Sequence, residues 1–122
     1  MAYILVVDDS FTARSIVARL ISDVHQLKMV DGGEAALKAL KSEDFDLVLL
    51  DLLMPGMDGF QTLAAIQELA NKPPVIVISA DIQESTHKKV LASGAQSILN
   101  KPPKKDLLLG EIEKVLGDGR VS

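Results

Sequence analysis

Three carboxylates, one hydroxyl and one ammonium stand out in this chain by where they fall. Asp8 and Asp9 follow the apolar run Tyr3 to Val7. Asp51 closes the run Leu47-Val-Leu-Leu. Ser79 closes Val75 to Ile78, and Lys101 follows a weaker run that ends at Leu99. Taken singly, each has a plain reading: Asp8 and Asp9 as helix caps, Ser79 as a turn hydroxyl, Lys101 as a solvated lysine. Taken together, they are the parts of a phosphoryl-transfer site. Carboxylates crowded to about 4 Å repel by about 4 kcal/mol at an effective dielectric of 20, so three of them call for a cation. Oxygen donors without histidine or cysteine suit Mg²⁺ best, with Mn²⁺ or Ca²⁺ as lesser fits. Lys101 and Ser79 could then hold the oxygens of a phosphoryl group. Asp51 as nucleophile would give an acyl phosphate.

The elements that must bring these residues together can be read from periodicity. Apolar runs bounded by turn residues are buried strands, and they are apolar on both faces where the sheet is parallel. The sequence predicts strands at Tyr3–Val7, Leu27–Val30, Leu47–Asp51, Val75–Ser79 and Gln96–Leu99. Between them fall helical patterns. The first starts at Ser10, a candidate N-cap, with Ala13, Ile16, Val17, Leu20 and Val24 on one face. The second is Glu34–Leu40, turning Ala36, Leu37 and Leu40 inward. The third starts at Gly59, presents Leu63, Ile66 and Ala70, and ends before Pro73-Pro74. The fourth is Glu84–Leu91 with Gly94 as its C′ residue. The last is Asp106–Leu116, and Gly117–Ser122 reads as a frayed tail. Strand and helix alternate, which implies a parallel sheet with right-handed crossovers and helices on both faces. Ligands bind in such folds at the carboxyl ends of the strands, where all five chemical residues fall.

Composition narrows the function. The chain has 122 residues, 48% of them apolar, so one domain over residues 1–122 can build its own core. It has no cysteine, which excludes disulfides and thiolate metal sites. The N-terminus shows no basic segment before its short apolar run, so we expect a cytoplasmic protein with no membrane partner. A net charge of -4 and 3% aromatic residues argue against nucleic acid as a partner. His25 and His87 are not spaced as metal ligands and are expected to be solvated.

The pattern of motifs is specific. Ile4-Leu5-Val6-Val7-Asp8-Asp9-Ser10, Asp31-Gly32-Gly33-Glu34-Ala35-Ala36-Leu37, Asp51 through Gly59, Ile78-Ser79-Ala80, Gly94-Ala95 and Lys101-Pro102 all stand in order. The chain resembles the receiver domain of two-component response regulators, most closely the stand-alone chemotaxis (CheY-like) type. The resemblance covers nearly the whole length. It implies a flavodoxin-like (βα)5 sandwich, α/β in class, with strand order 2-1-3-4-5. It implies Asp51 as phosphoacceptor and a sensor histidine kinase as donor. Asp8, Asp9, Asp51 and the Leu53 backbone carbonyl would hold Mg²⁺ (or Mn²⁺), and Ser79 and Lys101 would bind the phosphoryl oxygens. A cis peptide is implied before Pro102. The partner surface would be the fourth helix, fifth strand and fifth helix, with Lys88, Lys89, Ile98, Lys104 and Lys105. A helix cannot bury Leu107, Leu108 and Leu109 on one face, so either Leu107 or Leu109 is partly exposed as part of a partner patch, or the helix ends pack both sides of the sheet edge. A phosphatase and a target protein are the further partners, and the state would be a monomer or a phosphorylation-dependent dimer.

One position departs from the family pattern, and two others would tune the lifetime of the phosphoryl group. Ile98 stands where many receivers carry an aromatic switch residue, and isoleucine is stiff at χ1. Leu53 cannot position water by hydrogen bonding and Asp81 could steer or repel, so slow self-dephosphorylation is expected. A phosphoacceptor rather than a turnover enzyme fits best. A haloacid-dehalogenase-type phosphatase would carry an acid where Leu53 stands, and a flavodoxin would not place Asp8-Asp9 in its phosphate loop. A degenerate receiver serving as a fixed interaction module or a phosphate sink is the alternative.

Overall fold

The computed structural model describes residues 2–54, 56–80 and 83–120. Ten elements alternate: β1 (Tyr3–Val7), α1 (Phe11–Ile21), β2 (Gln26–Val30), α2 (Gly33–Ser42), β3 (Leu47–Asp51), α3 (Gly59–Gln67), β4 (Val75–Ser79), α4 (Glu84–Ala92), β5 (Ser97–Asn100) and α5 (Lys105–Arg120). The strands form one parallel sheet in the order β2-β1-β3-β4-β5. This is the flavodoxin-like arrangement that the motifs implied.

The continuous apolar runs have a direct cause. Residues alternate between the two faces of a strand, and both faces here are covered by helices. Leu5, Val7, Val48, Leu50, Val75 and Val77 pack one way, with Ala36, Leu63, Ile66 and Val90 from α2, α3 and α4. Ile4, Val6, Leu47, Leu49, Ile76 and Ile78 pack the other way, with Val17, Ile21, Leu108 and Ile112 from α1 and α5. Both cores close on the central strands β1, β3 and β4. The register sets Val7 beside Leu50, Asp51 beside Ile78 and Ser79 beside Asn100, so the strands end nearly level.

Local chemistry fixes the helix ends near that edge. The Ser10 hydroxyl accepts from Ala13 N–H at 3.1 Å and starts α1. Asp58 and Gln61 form a reciprocal capping box that starts α3. Gly94, at φ +110, follows the C-cap Ser93 and turns the chain out of α4.

Several boundaries differ from the sequence reading. α1 stops at Ile21, where the Ser22 N–H still bonds to Ala18, so Val24 leaves the inward row and is exposed. Ile16 also sits at the surface rather than in the core. α3 ends at Gln67, and Ala70 is exposed. β5 runs one residue later than expected. α5 stays helical past Gly117 to Arg120, where a tail was expected, while Val121 and Ser122 lie outside the described residues. His25 is partly buried rather than solvated: its Nδ1 accepts from Ala2 N–H at 3.0 Å. His87 is exposed, as expected.

Candidate functional site

Each strand delivers its chemical residue to one edge. β1 leads into Asp8 and Asp9, β3 ends on Asp51, β4 ends on Ser79, and β5 leads into Lys101. Asp8, Asp51 and Ser79 are buried, Lys101 is half-buried, and Asp9 is exposed. Carboxylate oxygens of Asp8, Asp9 and Asp51 lie within 4.8 Å of one another. The Lys101 ammonium bridges two of them, at 2.8 Å from Asp8 Oδ2 and 3.3 Å from Asp51 Oδ2. The other Asp8 oxygen accepts from Ser10 N–H at 2.9 Å. Leu53 N–H approaches Asp51 Oδ1 at 3.4 Å, while the Leu53 side chain turns outward and is 69% exposed. The Lys101 N–H donates to the Ser79 carbonyl at 3.0 Å and ties the fourth and fifth strand ends together. The Lys101-Pro102 peptide is cis.

The electrostatics follow from this packing. Burial pushes the Asp51 carboxyl above its usual value, and the Asp8 charge pushes the same way. Lys101 and the Leu53 N–H oppose them without cancelling the shift. Burial works to lower the Lys101 pKa, but its hydrogen bond to Asp8 and the charges of Asp51 and Asp8 outweigh it, and the net shift is upward. Lys101 therefore remains a cation at neutral pH. One ammonium serves two carboxylates, and Asp9 is left without an ion partner among the described residues. An all-oxygen donor set carrying surplus negative charge fits a hard divalent cation such as Mg²⁺. Its nearest nitrogen is the charged Lys101, which cannot ligate a metal.

A cavity of about 280 Å³ adjoins Asp51 and Lys101, walled by Ile16, Val17, Pro102 and Pro103 among others. Asp81 lies outside the described residues.

The residues expected on the partner face are spread more widely. Ile98 is half-buried and packs on the core beside Val77. Together with His87, Leu99, Lys104 and Leu107 it lines a groove of about 400 Å³. Leu107 is 60% exposed, Leu108 is fully buried and Leu109 packs on the α1/α5 side, so the leucine run does expose one member. Lys88 pairs with Glu84 one turn away, and Lys105 is exposed. Lys89 does not stand free on this face. Its ammonium lies 4.3 Å from the centre of the Phe60 ring and ties α4 to α3.

Arg14 is the residue the sequence reading missed. Its Nη1 donates to the Asp8 carbonyl at 2.6 Å. The available signal was a long side chain in the second turn of the helix after the acid pair. Helical side chains lean toward the N-terminus, and one of this length reaches back over the first turn.

The chain joins a flavodoxin-like fold to an acidic strand-end edge, and comparison with known proteins gives the family. Residues 4–113 match the family described as the response regulator receiver domain. The chain belongs to this family and so to two-component signalling. It is 33% identical over 116 residues to the cell cycle transcriptional regulator CtrA of Caulobacter vibrioides, covering 95% of this chain and 50% of CtrA. It is 34% identical over 105 residues to the sensor histidine kinase GacS of Pseudomonas protegens, covering 81% of this chain and 12% of GacS. The chain thus spans half or less of these relatives. Among solved structures, the chemotaxis protein CheY4 of Vibrio cholerae superposes with a TM-score of 0.86 at 28% identity, over 94% of this chain and 98% of CheY4. NtrX of Brucella abortus superposes with a TM-score of 0.90 at 32% identity, over 98% of this chain and 28% of NtrX. No helix among the described residues is long and apolar enough to cross a membrane.

Proposed function

We propose that this receiver accepts a phosphoryl group on Asp51 from the phosphohistidine of a sensor histidine kinase and acts as a switch on a partner protein in the cytoplasm. The observation that carries the proposal is the Lys101 bridge between Asp8 and Asp51 beside the open carboxylate of Asp9. An Asp51 carboxylate oxygen attacks phosphorus, the phosphorus–nitrogen bond breaks with its electron pair left on that nitrogen, and the imidazole leaves neutral, keeping the proton already on its other ring nitrogen. Lys101 turns from the two carboxylates to the new phosphoryl oxygens, and the Ser79 hydroxyl donates to another. Asp8, Asp9 and Asp51, with the Leu53 carbonyl, would hold Mg²⁺ or Mn²⁺. The bound ion supplies charge neutralisation for the incoming phosphoryl oxygens.

The chain is a phosphoacceptor in this reading, not a turnover enzyme. Leu53 offers no hydrogen bond to an attacking water, so the phosphoryl group persists and its removal falls to a phosphatase. The partner docks on the α4-β5-α5 face, where Lys104 and the exposed Leu107 line the groove at Ile98 and Lys88 and Lys105 are exposed on the two helices.

Beryllofluoride mimics a phosphoryl group on aspartate, and amide NMR with Mg²⁺ reads its effect. We expect shifts at the strand ends that spread to Lys88, Ile98 and Lys105, and none in Asp51→Asn. Shifts confined to the strand ends would leave a phosphate sink without an output. No shift in the wild type would overturn the phosphoacceptor reading and leave a fixed interaction module.

A further inference from the structure

We infer that Arg14 is a positioning residue for the acid pair, and that it sets the affinity of the site for a divalent cation. The inference rests on the reading of Asp8, Asp9 and Asp51 as the cation site. Asp8 is held at every polar group. Its N–H donates to the Val30 carbonyl at 3.2 Å, its carbonyl accepts from Arg14, and its carboxylate oxygens meet Ser10 N–H and Lys101. Asp9 is the opposite case. It is exposed, and no hydrogen bond or ion pair holds its carboxylate among the described residues.

What orients Asp9 is therefore the peptide that precedes it. A peptide unit is planar and stiff, so fixing the Asp8 carbonyl also fixes the Asp9 nitrogen and Cα, and the Ser10 N–H bond to the Asp8 carboxylate limits the remaining rotation about the Asp9 N–Cα bond. Arg14 is the side chain that grips this carbonyl, through a charge-assisted bond at 2.6 Å. The grip is itself supported. The guanidinium lies over the Phe11 ring, 5.9 Å from its centre, one turn earlier on α1. Phe11 is 65% exposed and fills no core position, so this contact gives the aromatic ring a reason to be there.

Two effects of Arg14 on cation binding have opposite signs, and that makes the inference sharp. As a charge near an acidic cluster, Arg14 repels a divalent cation, so its removal would tighten binding. As a clamp on the Asp8-Asp9 peptide it organises the ligands, so its removal would weaken binding. Loss of groups that orient metal ligands typically costs 10- to 100-fold in affinity. We expect Arg14→Met to bind Mg²⁺ about 10-fold more weakly. Arg14→Lys, which can still reach a carbonyl, should recover part of the loss. Phe11→Ala should weaken binding by a smaller factor.

The test is a Mg²⁺ titration followed by amide shifts at Asp9 and Leu53, with urea unfolding in EDTA measured alongside. A weaker Mg²⁺ midpoint with recovery in Arg14→Lys supports the inference. Mg²⁺ binding by Arg14→Met as tight as wild type, or tighter, overturns it, even if the EDTA midpoint falls. Should Arg14→Met fail to fold, unchanged binding in Phe11→Ala together with Arg14→Lys overturns it equally. A wild type that does not bind Mg²⁺, or binds it unaltered after Asp9→Asn, sinks the cation-site reading itself.

Discussion

Replacing Gly59 by alanine should break the contact between the start of α3 and the chain just past Asp51. A Cβ on Gly59 would stand 2.4 Å from the Leu52 Cα and 2.5 Å from the Asp51 carbonyl oxygen. Ordinary carbon contacts lie at about 3.5–4.0 Å, so the two segments must part by roughly 1 Å. Both obstacles are backbone, so no side chain can swing aside. Overpacking of this kind costs about 1–3 kcal/mol. The Gly59 N–H also donates to the Leu52 carbonyl at 2.9 Å, and parting the segments loses that bond. Its loss adds about 0.5–1.5 kcal/mol. The expected total is about 2–4 kcal/mol, or a fall in Tm of roughly 6–20 °C for a chain this size. Two controls separate sterics from backbone conformation. Gly56 has nothing within 4 Å but sits at φ +73, so alanine there costs about 1–2 kcal/mol from left-handed backbone alone. Gly110 lies within α5 with open space around it, so alanine there should stabilise by about 1 kcal/mol. Thermal and urea unfolding by circular dichroism give the order. A Gly59→Ala protein within 0.5 kcal/mol of wild type would refute the close approach. Because the displaced oxygen belongs to Asp51, the variant should also lose Mg²⁺ affinity, which Gly110→Ala should keep.

Other perturbations have defined signs. Lys101→Met leaves Asp8 and Asp51 facing one another without their shared cation. Removing one partner of a buried pair costs about 3–5 kcal/mol, and the partly exposed lysine reduces this to about 1–3 kcal/mol in EDTA. Mg²⁺ should restore more stability to this variant than to wild type, and equal restoration in urea titrations would contradict the competition. Tyr3, Lys28 and Glu43 form a surface cluster in which Glu43 accepts from both, and the Lys28 hydrogen bond is the main cause of a lowered Glu43 pKa. That stability is present above the ordinary glutamate value of about 4.3 and is lost as pH falls through the lowered value. Wild type should therefore lose urea resistance more steeply than Glu43→Gln at acid pH, and parallel curves would rule the cluster out. Leu53→Asn gives the site a side chain able to hold water, and phosphoryl loss should accelerate about 3- to 10-fold, well short of full general-base catalysis at ~10²–10⁴. An unchanged decay of labelled phosphoprotein would exclude the role of Leu53.

The parts of this structure that were legible in the sequence share one property: they depend on burial along a single element. The run before Asp51 announces a strand covered on both faces, and it is buried at all five positions of β3. The glycine at position 94 announces a left-handed turn, and it has one. Positions that depend on a neighbour elsewhere in the chain were not legible. Val24 keeps helical spacing, but α1 has already ended at Ile21. Ile16 keeps it too, yet faces the cavity beside the acids instead of a packed core. His25 is separated by 23 positions from the amide it accepts from. Lys89 looks like one more surface charge until α3 brings Phe60 beneath it.

The acidic site shows the same division, and the division has a functional meaning. Aspartates at strand ends can be read from sequence, because strand ends in a parallel sheet share an edge. The clamp that aligns them cannot, because it passes from a helix's second turn back to a carbonyl. Charge counting explains why both layers are needed. Asp8, Asp9 and Asp51 with Lys101 carry a net charge of about -2, which a divalent cation balances without any further residue. That balance fixes how many charges the site must hold, but it leaves their positions open. Mg²⁺ demands near-ideal octahedral geometry, so a carboxylate swinging free at Asp9 would lose much of its value as a ligand. The Arg14 grip on the preceding peptide supplies a constraint at the one acid of the three whose carboxylate has no partner among the described residues.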